Sequence, residues 1–453
     1  MIKPNLNRTL IAILLLSVGV RVAVALYLGD IVDAPPLLTD QRSYHALGER
    51  LITGHGFSFD RGWYPFTQPD QPTAHWSFLY SFFVAAVYAV FGPHPLATRL
   101  VQAVLGGVLL PLMIYLFARR VYRVSPLNPA ASQLSKYGLD EERLALISAG
   151  LASIYFYFVL YAATIMTETF YISGLLWLLI NALNFAEAPH LKNGLLLGVS
   201  LSVTTLLRQS ILPWAAVLMV WLLWTGWQRG TLGRVVRSGV AAIAVLVLSI
   251  APFTLRNYLA YGQFLLLNSN AGYAMFSAQH PMHGTEFREF DAAPVPDELV
   301  GQNEAQLDKE LMARGIGFVL AEPGRYLALS LSRVVDYFEF WPTPDTSLIN
   351  NVGRMGSIGV LLPFMLIGLW LAYRHGGVRS SGGWRAFTQS PLALISLFML
   401  VYSVLHIFTW AMPRYRLPVD AVALPLAALA LLCAFNWLRA RTRRNQAGAR
   451  TTA

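Results

Sequence analysis

Long apolar segments without charged residues recur along this chain of 453 residues, and they constrain its fold more than any other feature. Most are about 18 to 24 residues long, the length at which an α-helix crosses a hydrocarbon layer of about 30 Å. Only 13% of the residues are charged, which is about half the share expected in a soluble domain, roughly 25%. The pattern predicts an all-α polytopic membrane protein and argues against an ordinary cytosolic enzyme. The single cysteine, Cys433, excludes a disulfide scaffold.

Ten of these segments are predicted to be transmembrane helices in a single membrane domain, residues 1–453. They are residues 9–28, 97–118, 144–163, 169–186, 194–207, 211–227, 239–255, 355–373, 391–410 and 419–438. An eleventh apolar segment, residues 77–92, is ambiguous. If it spans the membrane, every later loop changes side.

The positions of Lys and Arg decide between these two topologies. With residues 77–92 on the outer surface and the N-terminus in the cytoplasm, the inner segments hold 19 basic and 4 acidic side chains. The outer segments then hold 14 basic and 20 acidic side chains. We therefore predict a multi-pass protein of the cell (inner) membrane with both termini in the cytoplasm. The net charge of +10 reflects this topology rather than nucleic-acid binding.

Two outer segments, residues 29–96 and 256–354, are too long to be simple connections, and function is expected there. In the first, apolar side chains at helical spacing predict an amphipathic surface helix. They are Leu38, Tyr44, Leu47 and Leu51. Thr39 or Asp40 is the candidate N-cap, and Gly54 and Gly56 are expected to end the helix. In the second, a short membrane-lying helix is expected near residues 333–340.

Two carboxylates at outer helix ends are candidate catalytic groups. Asp40 either caps its helix or takes part in chemistry, and its position alone leaves both readings open. Glu168 lies in an otherwise apolar stretch, residues 144–180, where an ionisable group is costly and marks a functional candidate. Its alternative role is to stabilise the first turn of a helix that Thr167 caps.

Four arginines also lie at predicted outer helix ends. They are Arg208, Arg256, Arg414 and Arg416. The planar guanidinium fork suits phosphate, so these residues are candidates to meet an anionic lipid head group. Snorkelling to the interface explains any one of them, but the positive-inside rule disfavours four together at outer ends.

Several motifs follow one another in a recognisable order. Asp40 is followed by Tyr44 and by a turn with Gly54 and Gly56, and then come PTAHWSFLYSFFVAAVYAVFG and LATRLVQAVLGGVLLPLMIYLFARRVY. RNYLAYGQFLLLNSNAGYAMF and RYRLP complete the series. In this order, and with this topology, the chain resembles the GT-C glycosyltransferases. It is most similar to bacterial relatives of dolichyl-phosphate-mannose protein mannosyltransferases and of the aminoarabinose transferase that modifies lipid A.

The resemblance implies an inverting enzyme that moves a hexosyl or pentosyl group from a polyprenyl-phosphate donor to a lipid, glycan or protein acceptor at the outer face. It implies that Asp40 is the general base and that Glu168 orients the acceptor or the sugar. The four arginines would neutralise the leaving phosphate. No nucleotide or nucleic acid is expected.

Four further residues are candidate substrate contacts on the same resemblance. They are Tyr44, His75, Asn270 and Tyr273. For His75, packing at the membrane interface is an equal alternative. The aromatic residues of the first outer segment either line a sugar or lipid groove or form an interfacial belt. They are Trp63, Tyr64, Phe66 and Trp76.

Three departures from the family limit what the resemblance implies. Gln41 follows Asp40 where many relatives have Glu, so a divalent metal there is unsupported and no cofactor is certain. Trp76 and Ser77 replace two prolines before the apolar surface helix. A large soluble C-terminal domain is not expected, so residues 256–354 become the main candidate for acceptor recognition.

Two other classes of protein compete with the enzyme. A lipid or sugar transporter, or flippase, would also have about ten spans, but it predicts inverted repeats and charges near mid-membrane. The suspect charges here are predicted at outer helix ends. A non-catalytic scaffold would use the same acids and arginines only to cap helices.

Overall fold

The structure is a computed structural model, and it describes most of the chain as a nearly continuous series of helices. The described residues are 8–32, 40–63, 67–124, 139–288, 291–344, 346–375 and 383–451. Leu38, Thr39, Tyr64 and Phe66 lie outside them. Within these ranges β-structure is limited to two isolated bridges, Ser58 to Pro72 and Trp63 to Thr67. The predicted all-α fold is confirmed.

Helices before the second outer segment include both long apolar helices and short ones. They are α1 (Arg8–Leu28), α2 (Asp40–Ile52), α3 (Phe78–Phe91), α4 (Pro95–Arg123), α5 (Glu141–Ile154), α6 (Phe156–Ala162), α7 (Glu168–Glu187), α8 (Leu191–Leu207), α9 (Leu212–Gln228) and α10 (Leu232–Tyr261).

The second half of the chain continues in the same way. Its α-helices are α11 (Ala271–Gln279), α12 (Glu304–Ala321), α13 (Pro323–Tyr337), α14 (Leu348–Arg354), α15 (Val360–His375), α16 (Gly383–Thr388), α17 (Pro391–Phe408) and α18 (Leu417–Thr451). A π-helical turn, Met355–Gly359, joins α14 to α15.

Eight helices within the described ranges are long and apolar enough to cross a membrane, and the bent pair α5 and α6 makes a ninth. Helix α8 is also apolar but has 17 residues, which corresponds to about 26 Å. Nine of the ten predicted spans coincide with these candidates, and the tenth, residues 194–207, corresponds to the shorter helix α8. Helix α3, with 14 residues, is about 21 Å long and, like α8, is a shorter apolar helix outside the spanning candidates.

The span predicted at residues 144–163 is not one continuous helix, because the helix breaks at Tyr155. Tyr155 is extended, with φ −62° and ψ 117°, and α5 and α6 meet at an angle of 57°. An uninterrupted apolar sequence gives no signal of such a break. The break leaves carbonyl groups at the end of α5 without helical partners, and such groups need donors inside a membrane.

Arg21 of α1 supplies these donors. Its side chain is fully buried, and it donates to the carbonyl oxygens of Ser153 at 3.0 Å and Ala152 at 3.1 Å. A third bond runs from Nη1 to Ser17 Oγ at 2.5 Å. A cation at a helix C-terminus also suits the negative end of the helix dipole. The charge inside the first span is therefore engaged in holding the bent span.

Helix α18 lies at the centre of the bundle. In the apolar stretch of 18 residues that includes most of its membrane-crossing part, 89% of the residues are buried, whereas in the corresponding stretches of α1 and α10 22% are buried. Small residues allow close backbone approach between helices. A Cβ on Gly368 would lie 1.8 Å from the Leu426 carbonyl oxygen, so α15 packs directly against the backbone of α18.

The first outer segment folds largely as predicted. Helix α2 begins at Asp40, buries Tyr44 and Leu47, and packs against α3. Gly54 and Gly56 follow with φ of +82° and +68°, values that favour glycine. The two helices of this segment are thus α2 and α3.

The second outer segment begins later and is more helical than predicted. Helix α10 extends beyond residue 255 to Tyr261, and Gly262 ends it with φ +66°. Helices α11 to α14 then follow. The short helix expected near residues 333–340 is instead α13, Pro323–Tyr337. Its exposed residues Leu327, Leu331 and Val335 recur at helical spacing, as in a helix with one apolar face.

Candidate active site

The two candidate carboxylates occupy equivalent positions at the starts of helices. Asp40 is the first residue of α2 and Glu168 is the first residue of α7. Glu168 follows a non-helical stretch, residues 163–167, between α6 and α7. Both positions place a negative charge near the positive end of a helix dipole. They also leave the carboxylates free to face a neighbouring element.

Asp40 pairs with an arginine from the opposite end of the chain. Asp40 Oδ2 accepts a hydrogen bond from Arg414 Nη1 at 2.8 Å. Arg414 lies in the short 3-10 turn, Pro413–Arg416, between α17 and α18. The two side chains are 22% and 15% exposed, so the pair lies at the edge of the protein interior.

Glu168 pairs with Arg208, and this pair is more deeply enclosed. Glu168 Oε1 accepts from Arg208 Nη2 at 2.5 Å, and Arg208 Nε donates to Thr167 Oγ1 at 3.0 Å. Arg208 immediately follows α8. The Glu168 side chain is 2% exposed. A buried carboxylate of this kind needs its cation.

Tyr415 brings the two ion pairs together. Its ring lies under both guanidinium groups, 5.7 Å from that of Arg208 and 5.2 Å from that of Arg414. The imidazole of His406 stacks on the same ring, with 4.7 Å between centroids. The structure therefore joins Asp40, Glu168, Arg208 and Arg414 around one aromatic ring, and we call this group the paired-ion site.

Two buried atoms of the paired-ion site have no hydrogen-bond partner among the described residues. They are Glu168 Oε2 and Arg414 Nε. Buried polar atoms are nearly always hydrogen bonded in native proteins, so this acceptor and this donor are candidate contacts for a ligand. Such a ligand would offer a hydroxyl to Glu168 and an oxygen to Arg414.

Gln41 connects the two carboxylate-bearing helices. Its Oε1 accepts from Arg99 Nη2 at 2.9 Å and from the Ile165 backbone N at 3.2 Å. Arg99 also donates to the carbonyl oxygen of Ile31 at 2.7 Å. The residue that replaces the family's Glu thus links the start of α2 to the stretch before Glu168.

Gln102 of α4 holds the same stretch from the other side. Its Nε2 donates to the carbonyl oxygens of Tyr161 at 3.0 Å and Thr164 at 2.6 Å, and its Oε1 accepts from Tyr80 Oη at 2.6 Å. These bonds satisfy carbonyl groups freed by the break between α6 and α7. The sequence analysis missed Gln41, Gln102, Tyr415 and His406 as part of the site.

Tyr44 lies beneath Asp40 and is almost fully buried. Its Oη accepts a 3.4 Å hydrogen bond from the Ser77 backbone N, and its ring meets those of Trp76 and Tyr80 edge-on. Burial raises the pKa of the Tyr44 phenol, and the Asp40 carboxylate raises it further. Tyr44 is therefore a neutral phenol that packs α2 against α3.

His75 lies close enough to Asp40 and to the buried carboxylate Glu304 to interact electrostatically with both. Burial lowers the pKa of the His75 imidazole, although both carboxylates act in the opposite direction. The imidazole is consequently neutral near pH 7. Its ring contacts that of Trp76 at 4.9 Å between centroids.

Glu304 connects the two outer segments and was not singled out in the sequence. One oxygen accepts from Thr67 Oγ1 at 2.6 Å, and the other accepts from the Ala74 backbone N and from Ser269 Oγ at 2.8 Å each. Tyr261 Oη donates to it at 3.4 Å. A carboxylate with this many donors fixes the loop that carries His75.

Arg256 and Arg416 lie in other surroundings. Arg256 donates to the Phe57 carbonyl oxygen at 3.2 Å and lies over aromatic rings. Arg416 is 1% exposed and pairs with Asp420 at 3.1 Å. Tyr155 Oη donates to the second oxygen of Asp420 at 2.7 Å.

Asn270 and Tyr273 lie in the second outer segment; Asn270 bonds to residues outside this segment and Tyr273 to one within it. Asn270 accepts from Gln209 Nε2 at 2.9 Å, and Tyr273 Oη donates to the Ala293 carbonyl oxygen at 3.2 Å. Trp63 donates to Ser43 Oγ at 2.9 Å and stacks on Phe59. The substrate contacts expected of these residues stay predictions.

No group of three or more His, Cys, Asp or Glu side chains in the described ranges is arranged to hold a metal ion. In the paired-ion site each carboxylate faces an arginine instead.

Comparison of the whole chain with solved structures finds similarity to the crystal structure of ArnT from Cupriavidus metallidurans bound to undecaprenyl phosphate, with a TM-score of 0.43 and 12% sequence identity. The alignment covers 93% of this chain and 60% of that one, so the chain spans less than two thirds of the protein that it matches. No family model and no curated protein matches the sequence. The proposals below depend on the contacts of this chain's own residues.

Proposed function

We propose that this membrane protein is an inverting glycosyltransferase that uses a polyprenyl-phosphate sugar. The observation that carries the proposal is the paired-ion site. Two carboxylates and two arginines, remote in sequence, meet around Tyr415 with one unused acceptor and one unused donor. A sugar phosphate offers the matching groups, hydroxyls for Glu168 and phosphate oxygens for the arginines.

The reaction needs one base and one stabilised leaving group. Asp40 accepts the proton of the acceptor hydroxyl, and the acceptor oxygen then forms a bond to the anomeric carbon on the face opposite the phosphate. The bond from the anomeric carbon to the phosphate oxygen breaks. The polyprenyl phosphate leaves with that electron pair.

Arg208 and Arg414 stabilise the charge that develops on the leaving phosphate. Positive charge fixed in a partly water-excluded site contributes most as the bond breaks. Glu168 Oε2 accepts a hydrogen bond from a hydroxyl of the sugar or the acceptor. The reaction takes place at the outer face of the cell membrane, with both termini in the cytoplasm.

Acceptor recognition is assigned to residues 256–354. This segment carries a cavity of about 190 Å³ lined by Gln263, Gln302, Gln306, Lys309 and Glu310. Its amide and charged groups suit a hydroxylated acceptor. Tyr44, His75, Asn270 and Arg256 support the loops around the site, and Arg416 supports α18.

Transfer by purified variants tests this proposal. Full-length protein in lipid vesicles is given polyprenyl phosphate mannose or polyprenyl phosphate aminoarabinose with a labelled sugar, and a membrane extract supplies acceptors. Release of polyprenyl phosphate and labelled product are measured. Asp40→Asn is expected to reduce transfer by about 10²- to 10⁴-fold. The control is Asp60→Asn, in the same outer segment, because its carboxylate is 68% exposed.

Wild-type transfer rates in Asp40→Asn would remove Asp40 from the mechanism. A transporter would instead move the labelled donor across the vesicle membrane without releasing polyprenyl phosphate. The engagement of Arg21 with backbone carbonyls leaves that buried cation without a transport role. This supports the enzyme over the transporter.

A further inference from the structure

The two ion pairs of the paired-ion site differ in how firmly each arginine is held. Arg208 uses Nη2 for Glu168 and Nε for Thr167, and its guanidinium also lies over the rings of Tyr171 and Tyr415. Arg414 uses Nη1 for Asp40 and has an unused, buried Nε. Among the described residues, its other side-chain bond is a 3.4 Å contact from Nη2 to Tyr415 Oη. Arg414 therefore has a buried donor, Nε, that is available to a ligand.

The carboxylates differ in the same sense. Glu168 is 2% exposed and Asp40 is 22% exposed. Separating a buried pair leaves an uncompensated charge and is strongly unfavourable, whereas a partly exposed carboxylate regains water when its cation leaves. The Asp40 pair therefore opens at lower cost than the Glu168 pair.

The closed Asp40 pair obstructs the base role of Asp40. Asp40 Oδ2 accepts a hydrogen bond from the Arg414 guanidinium at 2.8 Å, so this oxygen faces a donor other than the acceptor hydroxyl. Opening that contact makes the oxygen available to the hydroxyl proton. A phosphate oxygen is the natural competitor, because a guanidinium binds phosphate and carboxylate with the same fork.

We propose that Arg414 exchanges partners, leaving Asp40 for the donor's lipid-linked phosphate, so that binding of the leaving group frees the base. Arg208 and Glu168 stay paired and act as the fixed half of the site. This inference rests on the proposed function. It makes Arg414 the residue that couples phosphate binding to proton acceptance, and it prevents Asp40 from activating a hydroxyl before a donor is present.

Binding of a polyprenyl monophosphate tests the exchange without any transfer. If Asp40 and the phosphate compete for Arg414, then removing the carboxylate charge strengthens phosphate binding. Asp40→Asn is expected to bind the lipid about fivefold more tightly than wild type. Arg414→Gln is expected to bind it about tenfold more weakly or worse. Affinity is measured by tryptophan fluorescence of the full chain in vesicles of a zwitterionic lipid.

Two controls isolate the phosphate and the carboxylate. A polyprenol without phosphate should bind wild type and Asp40→Asn equally, and Asp60→Asn should bind the monophosphate as wild type does. Unchanged or weaker binding of the monophosphate by Asp40→Asn would overturn the exchange. If Asp40→Asn shows that binding result but still loses transfer, the proposed glycosyltransferase function is retained and only the exchange of partners is rejected. No monophosphate binding by folded wild type would overturn the exchange, and a wild type also inactive in transfer would end the proposed function.

Discussion

Arg414 and Arg416 are separated by one residue, yet they belong to two different regions of the molecule. Arg414 bonds to Asp40, 374 positions away in the sequence, and both side chains stay partly exposed. Arg416 bonds to Asp420 within the same helical turn, and both are nearly fully buried. Arg416 also donates to the Tyr337 carbonyl oxygen at 2.5 Å. One arginine closes a site, and the other anchors the central helix.

The difference shows that the burial of an arginine and the location of its partner, rather than its residue type, distinguish a role in chemistry from a role in supporting the fold. A buried, local pair such as Arg416 and Asp420 contributes to a unique fold and is strongly destabilising to break. A partly exposed pair between distant segments contributes little to stability, so its groups are available for chemistry. The predictions below test this contrast.

The largest effect on stability is expected from Arg416→Gln. It leaves Asp420 as a buried charge without its cation, which should lower the free energy of unfolding by about 3 to 5 kcal/mol. Unfolding in detergent micelles measures it. Replacing both partners, as Arg416→Met with Asp420→Leu, should recover most of the loss. Transfer per folded molecule should be unchanged. A loss of transfer without a loss of stability would show that Arg416 takes part in the chemistry, as is proposed for Arg414.

Arg414→Gln should have the opposite profile. Transfer should fall by about 10²- to 10³-fold, because the leaving phosphate loses a fixed positive charge. The free energy of unfolding should change by about 1 kcal/mol or less, since the pair with Asp40 is partly exposed. Steady-state transfer and micelle unfolding are measured on the same preparation. A large loss of stability with normal transfer would show that Arg414, like Arg416, stabilises the fold and has no role in the chemistry.

Glu304→Gln extends the contrast to a buried carboxylate bonded only to neutral donors. The glutamine amide has one acceptor oxygen, whereas the Glu304 carboxylate has two oxygens that accept from these donors. Some donors would therefore lose their acceptor, and the free energy of unfolding should fall by about 1 to 3 kcal/mol. Glu310→Gln, an exposed position on the same helix, is the matched control. Equal stability of the two variants would show that the bonds to Thr67, Ala74 and Ser269 contribute nothing.

The smallest effect is expected from Asp308→Asn and depends on pH. Burial raises the pKa of Asp308 to about 6, although the Gly272 backbone N–H donates to it. The stability due to its protonated form is fully present below about pH 4 and is lost as pH rises through about 6. Asparagine stays neutral, so at pH 7.5 the variant should be about 1 to 2 kcal/mol more stable. Thermal unfolding at pH 4 should show no difference.

The sequence predicted the spans well, because uninterrupted apolar runs have one physical solution in a membrane. It also singled out Asp40, Glu168, Arg208 and Arg414, since charges at outer helix ends are conspicuous in an apolar chain. It did not predict how they pair. Nothing local distinguishes Arg414, which turns towards Asp40, from Arg416, which turns towards Asp420.

The residues that support the site could not be predicted from the sequence for a related reason. Gln41 and Gln102 act by satisfying backbone groups 124 and 62 residues away, and an amide in an apolar run gives no sign of its partner. The break at Tyr155 has no glycine or proline to mark it. Such features follow from the packing of distant helices, which a single sequence does not specify.

The bond from Arg21 to the end of α5 has a consequence for biogenesis. The carbonyl of Ala152 that Arg21 needs lies 131 residues further along the chain. At a synthesis rate of about 5 to 20 residues per second, roughly 7 to 26 s pass before that acceptor exists. During this interval the first span carries a lone cation, which disfavours its release into lipid by about 2.5 to 3.5 kcal/mol. The first span is therefore expected to stay beside the insertion machinery until α5 has been synthesised.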